Sequence, residues 1–308
     1  DLTVTETKSK KTASKTIKVQ TFDYMYTFKD ENGNTIDSKT VNYGESINAP
    51  EDASKTYVWL CDDYSDWKNT KNGPQNRVVH RVTLQGSGTK EDPALISSAN
   101  DWESLRILTQ NGCVGGKYFK LAGNITVTST IGTEDKPFNG IFDGSNKTLT
   151  LNYKNDNGND RTAPFAYIGQ SAIENLTVGG SIKGSANRAA GIAGEIRENC
   201  FIRNCTVSAA IEGNEYVSGF SIGSGAGGNV DVLTIEECTF NGSINGSKNC
   251  GGFVSHGSPY LVLRNCVVSA KAGSAIESGG TFVCGSFKKI IDCYYNIALG
   301  TPQGISFD

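Results

Sequence analysis

Histidine and methionine are almost missing from this chain, with two and one residues among 308. The histidines are His80 and His256, and no Cys-x-x-Cys pair occurs. A histidine-based triad or a zinc site of ordinary spacing therefore has little to build on, and no metal or cofactor is indicated. No apolar run approaches the roughly 18 residues that a membrane-spanning helix requires. Net charge is −3, without the basic excess of a nucleic-acid-binding chain. The chain starts at Asp1 with neither an initiator Met nor a signal peptide, so the expectation is a processed or excised fragment separated from its export signal and anchor.

What is present in quantity is glycine, 36 residues, distributed through an internal repeat. The stretch IENLTVGGSIKG at 173 returns as IRNCTVSAAIEG at 202 and IEECTFNGSING at 235. Aligning the copies puts Leu149, Leu176, Cys205, Cys238, Cys266 and Cys293 in one column, at steps of 27, 29, 33, 28 and 27. Two residues on lies a second apolar column, Leu151, Val178, Val207, Phe240, Val268 and Tyr295, with mostly threonine between the two. Period-two alternation over short β-branched stretches, punctuated by Gly and Asn, predicts strands. A coil of this length suits three short strands and their turns, stacked roughly 4.8 Å apart in a parallel β-helix. Asn175, Asn204 and Asn265 precede the first column, and Asn tolerates the left-handed backbone that a sharp corner needs.

The second half of each coil carries another unit: PFAYIG at 164, AGIAG at 190, SGFSIG at 218, GGFVSHG at 251 and GGTFVCG at 279. These units resemble GLUG motifs of bacterial cell-surface and secreted proteins. The resemblance covers about residues 115 to 295 and implies a right-handed β-helix of five or six coils. The lead-in GSGTKEDPALISSANDWESLRILTQNG resembles the opening of such solenoids, so residues 93–112 are expected to cap the first coil. Ser98 is the candidate N-cap with Asn100 as rival, Trp102, Leu105 and Leu108 share a helical face, and Gly112 ends the helix.

Residues 1–16, with Lys8, Lys10, Lys11 and Lys15 among Ser and Thr, read as a solvated polar linker. Residues 17–85 form a small β domain: Asn32-Gly33 marks a hairpin, and YVWLC and RVVHRVTL supply further strands. FKDENGNTIDSKTVNYGE resembles the Listeria–Bacteroides, internalin B-repeat-like, β-grasp modules of bacterial surface proteins. The expected fold is thus all-β, a β-grasp-like domain followed by a parallel β-helix over residues 86–308 with a short capping helix.

The nine cysteines are an odd number, and four share a column with leucine, so they are expected to be reduced, buried packing residues. Gly219-Phe220-Ser221-Ile222-Gly223 fits the nucleophile-elbow pattern, but Ser221 aligns with Ala166, Ala193 and Val254 and no helix follows. The run Gly223–Gly228 fits GxGxxG without the helix that binds phosphate. Asn175-Leu176-Thr177 and Asn204-Cys205-Thr206 match the glycosylation sequon, but corner Asn and outward Thr suffice to explain them without a glycan. Asp156-Asn157-Gly158-Asn159-Asp160 offers oxygen ligands without EF-hand spacing. Asp62, Asp63 and Asp66 read as loop acids, and the outward column Glu174, Arg203, Glu236, Arg264 as a charge-balanced ladder with no catalytic acid pair.

No catalytic residue is indicated. The expectation is a non-catalytic, adhesin-like module of the bacterial cell surface, extracellular and monomeric, that binds a glycan or protein along the solenoid. A pure stalk, or a polysaccharide lyase or glycosidase, are the alternatives. The coil of step 33 carries extra residues within SIGSGAGGNVDVLT, which makes Ser224, Gly225, Asn229 and Val230 the candidate contact segment.

Overall fold

Asp30 turns the hairpin at Asn32-Gly33: its carboxylate accepts hydrogen bonds from the backbone N–H groups of Asn32 (2.9 Å) and Asn34 (2.8 Å), and Gly33 takes the left-handed conformation between them. The computed structural model describes residues 2–8, 11–17, 23–42, 45–61, 76–155, 161–184, 188–224 and 232–307. They form two compact units, residues 1–52 with 59–82, and residues 53–58 with 83–308. Residues 53–58 and 83–85, read from the sequence as part of the small domain, thus group with the second unit.

The small sheet runs Thr35–Asn42, Asp23–Lys29, Arg77–Gln85, Lys55–Cys61, so its first and last strands in chain order are the two central ones. The hairpin pair is antiparallel, and Asp23–Lys29 runs parallel to Arg77–Gln85. Alternation buries Tyr24, Tyr26 and Phe28, and Trp59 meets Phe28 edge-on at 5.3 Å. The stretch read as a linker instead contains an antiparallel ladder, Leu2–Lys8 with Lys11–Ile17. Its threonines, Val4 and Ile17 favour extended pairing, which low hydrophobicity does not oppose.

The second unit is a parallel β-solenoid of about six turns. In the coil around Cys205 the chain makes five short strands, Cys200–Arg203, Thr206–Val207, Ala210–Glu212, Val217–Ser218 and Ser221–Ser224. The first three pair with the single strand Ala172–Gly184 of the coil before, so the expected three strands become five where that side is interrupted, as at Asn204 with φ 50°. Corners are made by Asn175, Asn204, Glu237, Asn265 and Asp292, all with φ between 50° and 57°. The Asn204 Nδ2 donates to Asn175 Oδ1 (2.7 Å) and the Asn175 Nδ2 to Asp143 Oδ1 (2.9 Å), so both sequon amides are engaged in a ladder along the rungs.

From Leu176 onward the first column stacks through Cys205, Cys238, Cys266 and Cys293, all buried. Leu149 does not belong to it. Lys147 lies opposite Leu176, and Leu149 opposite Val178, in the second column; Leu151 in turn faces Gly180. The cause is a bulge: Gly144, Ser145 and Asn146 stand where the next coil has Asn175 alone, so an alignment without gaps slips by two residues and still keeps the alternation. A similar correction applies at Phe165, which pairs with Ala193 in place of Ala166.

The helix Ala99–Gln110 covers the first coil. Ser98 is its N-cap, its hydroxyl accepting from Asp101 N–H at 3.2 Å, while Trp102, Leu105 and Leu108 are fully buried and Gly112 follows with φ 69°. At the other end the Gln303 side chain imitates a strand: its Oε1 accepts from Phe282 N–H (2.9 Å) and Val283 N–H (2.8 Å), and its Nε2 donates to Val283 O (2.9 Å).

The thiol stack makes stability fall in alkali. Burial pushes the thiols of Cys238 and Cys266 well up, whereas a hydrogen bond from Cys266 holds Cys293 down. For the first two, the folded chain retains protons that the unfolded chain releases once pH passes the ordinary thiol value. Their contribution is therefore constant below about pH 8.5 and declines above it, by up to about 1.4 kcal/mol per pH unit for each thiol. The urea midpoint is expected to drop between pH 8 and pH 10, and to drop less in Cys266→Val; equal slopes in parent and variant would contradict this account.

Candidate functional site

The strand Ala193–Arg197 buries a carboxylate between Gly194 and Ile196: the Glu195 side chain is 4% exposed. Its backbone pairs with Tyr167 on one side and Gly223 on the other. Burying a carboxylate is tolerated only where charge and hydrogen bonds compensate it. Two arginines do so: Arg161 pairs with Glu195 Oε2, and Arg197 Nη2 lies 2.7 Å from Glu195 Oε1. The same Nη2 is 2.7 Å from Glu134 Oε1, which carries the network to the surface. By itself burial would lower the Arg197 guanidinium, but Glu195 and Glu134 more than offset it and hold Arg197 above the ordinary arginine value.

Local structure explains how these residues meet. Gly194 leaves room for the Arg161 stem, since a Cβ there would collide with Arg161 Cβ and Cγ. The Arg161 guanidinium then lies 5.3 Å from the centre of the Tyr167 ring. Glu134 sits in a turn closed by hydrogen bonds between Thr133 and Lys136 (2.9 and 3.2 Å), entered through Gly132 at φ 87°. That turn is tied to the neighbouring coil by Phe138 N–H donating to Tyr167 O at 2.9 Å. Between the turn, Tyr153, Asn155, Arg161 and Tyr167 lies a cleft of about 310 Å³. This is the lower end of the size range of small-molecule sites, about 300–1,000 Å³.

None of the described residues that the sequence offers as site candidates lines this cleft. Ser224 ends the strand Ser221–Ser224, and Gly225, Asn229 and Val230 lie outside the described residues. The register on either side still locates the longer step: Ile196 pairs with Ser224 and Cys200 with Leu233, so the extra residues fall between Ser224 and Leu233. Asp62, Asp63, Asp66 and the stretch 156–160 also lie outside the described residues. Ser221 is fully buried, its hydroxyl accepting from Gly223 N–H at 3.1 Å. In the outward column Arg203 is 2.9 Å from Glu174 and 4.0 Å from Glu236. His80 and His256 lie in different units, and the His256 ring stands 5.8 Å from that of Tyr216. Among the described residues no group of three or more His, Cys, Asp or Glu is placed to hold a metal, and no helix is long and apolar enough to cross a membrane. The signal that could have located the cleft is Glu195 itself, a lone acid in a repeated apolar segment.

With this geometry in view, comparisons with known proteins give two likenesses. The chain resembles part of halomucin. Halomucin of Haloquadratum walsbyi is 26% identical over 151 residues, which are 44% of this chain and 2% of halomucin, so the match spans a small fraction of that protein. A crystal structure of a "putative immunoglobulin A1 protease" from Bacteroides ovatus is 16% identical, with a TM-score of 0.45, covering 72% of this chain and 86% of that one. No family model matches the chain.

Proposed function

We propose that this chain is a non-catalytic, adhesin-like module of the bacterial cell surface that binds an extracellular glycan or protein in the cleft beside Glu195. The observation that carries the reading is the charge compensation of that cleft. Glu134 and Glu195 share one guanidinium and Glu195 has a second, so neither stands as the unpaired acid that proton transfer to a substrate requires, and Glu195 is out of a substrate's reach. An open polar cleft with tyrosine and arginine walls suits recognition. The resemblance of the glycine-rich units to GLUG repeats, and of the first domain to internalin B-repeat-like modules, supports an extracellular surface setting, as does the likeness to a segment of halomucin.

The test is retention on a panel of immobilised extracellular glycans and glycoproteins. The parent is expected to be retained on at least one surface, and Thr130→Trp, which fills the cleft from its wall, is expected to weaken retention tenfold or more with an unchanged melting temperature. Equal retention of parent and plugged variant removes the cleft from binding, and no retention anywhere leaves a stalk. Release of reducing or unsaturated ends that vanishes in Glu134→Gln makes the chain an enzyme.

A further inference from the structure

The last turn of the solenoid has two strand edges that differ in chemistry. Lys289–Ile291 pairs, among the described residues, with Val262–Arg264 alone, and Lys288 and Lys289 stand at its start. Lysines of this kind keep an open edge from pairing with another chain. Ile305–Ser306 carries no such guard. It runs parallel to Tyr294–Tyr295, and among the described residues no strand pairs with its other edge. Ile305 N–H donates to Cys293 O (2.8 Å) and Phe307 N–H to Tyr295 O (2.9 Å). Backbone groups of successive residues alternate between the two sides of a strand, so the N–H and C=O of Ser306 face the open side, where each requires a partner or water.

The side chains of the same segment are apolar where earlier coils are polar. Tyr294 and Ile305 continue an outward column that reads Thr177, Thr206, Thr239 and Val267 in the coils before, so hydroxyls give way to apolar groups toward this end. Ile305 is 53% exposed, and Tyr294, Ile297 and Phe307, close to it along the chain, are exposed as well. An unguarded edge beside an apolar patch is the pattern of a contact surface. The opposite end of a second copy offers it no strand, because the helix Ala99–Gln110 covers the first coil there. A second copy approaching tail to tail does. Facing residues of antiparallel strands exchange N–H···O=C bonds, so a two-fold axis through Ser306 joins its free N–H and C=O to those of its counterpart. The same axis sets Ile305 opposite Phe307 of the other copy, on one outer face. We infer that the chain forms a two-fold dimer, in place of the monomer expected from the sequence, by antiparallel pairing of residues 305–307 with the same segment of a second copy. Such a contact uses one patch on both copies and closes at two.

Sedimentation velocity of the full chain over a concentration series tests this. Neither Ile305 nor Ser306 lines the cleft, so self-association and retention on glycans are read separately. The parent is expected to pass from monomer to dimer and no further. Ile305→Lys, a change at an exposed position, is expected to weaken the dimer about tenfold or more. Ser306→Pro is expected to do the same, since it removes the outward N–H and leaves those of Ile305 and Phe307 in place, where an edge strand tolerates proline. Phe201→Lys, at an exposed apolar position of an earlier coil, is expected to associate as the parent does. All three variants should melt with the parent. A parent that stays a monomer at every concentration overturns the dimer, and assembly beyond two overturns the closed two-fold contact. Undiminished association of Ile305→Lys, or its loss in Phe201→Lys, places the contact elsewhere. Dimerisation of Ser306→Pro at the parent's strength, with Ile305→Lys monomeric, overturns the strand pairing and leaves apolar adhesion in its place.

Discussion

Replacing Cys238 by aspartate is expected to lower the unfolding free energy by about 3 kcal/mol or more, whereas Cys238→Val stays within about 1.5 kcal/mol. The side chain is fully buried between Cys205 and Cys266 of the adjoining coils. Its Sγ lies 3.1 Å from Glu236 O and 3.7 Å from Ile202 O, both acceptors, and 3.4 Å from Cys205 N. A carboxylate there would face carbonyl oxygens and thiols with only one backbone N–H for relief. Protonation is the alternative, so the loss should shrink as pH falls from 7 to 5, because the folded state of the variant then gains the proton that burial favours. Valine keeps the shape and loses a weak sulfur contact, and Leu176 already fills the same column two coils earlier. Thiol labelling provides an independent check. Cys61, Cys113 and Cys284 are partly exposed and should label in the native protein, while Cys200, Cys205, Cys238, Cys250, Cys266 and Cys293 should label only after denaturation. Uniform labelling of all nine in the native protein, or a Cys238→Asp variant that unfolds with the parent, would put the column in solvent.

The reason that this column could be read from the sequence while the cleft could not is physical. Residues on successive rungs share one environment, so Cys205, Cys238, Cys266 and Cys293, and the corner residues before them, recur at nearly constant spacing. The helix cap was legible for the same kind of reason, since Ser98 and the Trp102, Leu105, Leu108 face follow local rules. Leu149 was placed two residues out because a bulge of that length preserves the in–out alternation and leaves no trace in the pattern. The ladder of Leu2–Lys8 with Lys11–Ile17 was missed because pairing of polar β-branched residues carries no hydrophobic signature. The cleft obeys no period at all. Glu134 and Arg197 are 63 residues apart and Arg161 and Glu195 occur once each, so only the fold brings them together.

The glycines of the second repeated unit give the remaining large effect: Gly219→Ala is expected to cost about 3 kcal/mol, at the upper end of what overpacking a core does. Gly191, Gly219 and Gly252 occupy one position in successive coils, and none has positive φ, so backbone freedom is not what they provide. Space is. A Cβ on Gly219 would run into the carbonyl oxygen of Gly252 and stand 2.7 Å from Phe240 Cδ2; on Gly191 it would meet Gly219 O and Val207, and on Gly252, Thr281 O and Val268. The glycine ladder therefore lies against the column Val207, Phe240, Val268, and the absence of a side chain lets the opposite wall close onto it. Two obstacles face the alanine, one of which can be removed. Phe240→Val in the same chain clears the aromatic ring, as Val207 and Val268 do in the neighbouring coils, but leaves the Gly252 carbonyl, which is fixed by donors on the adjoining rung: Gly219 N–H lies 3.1 Å from it. The double variant should thus stay near the Gly219→Ala value or below it. Gly123→Ala, where an added Cβ meets nothing within 4 Å, serves as the matched control and should be nearly neutral. Urea unfolding of the four chains separates the cases: full rescue by Phe240→Val would mean that the ring alone sets the cost and the backbone can yield, and an unaffected Gly219→Ala would mean that the coils do not pack against this ladder.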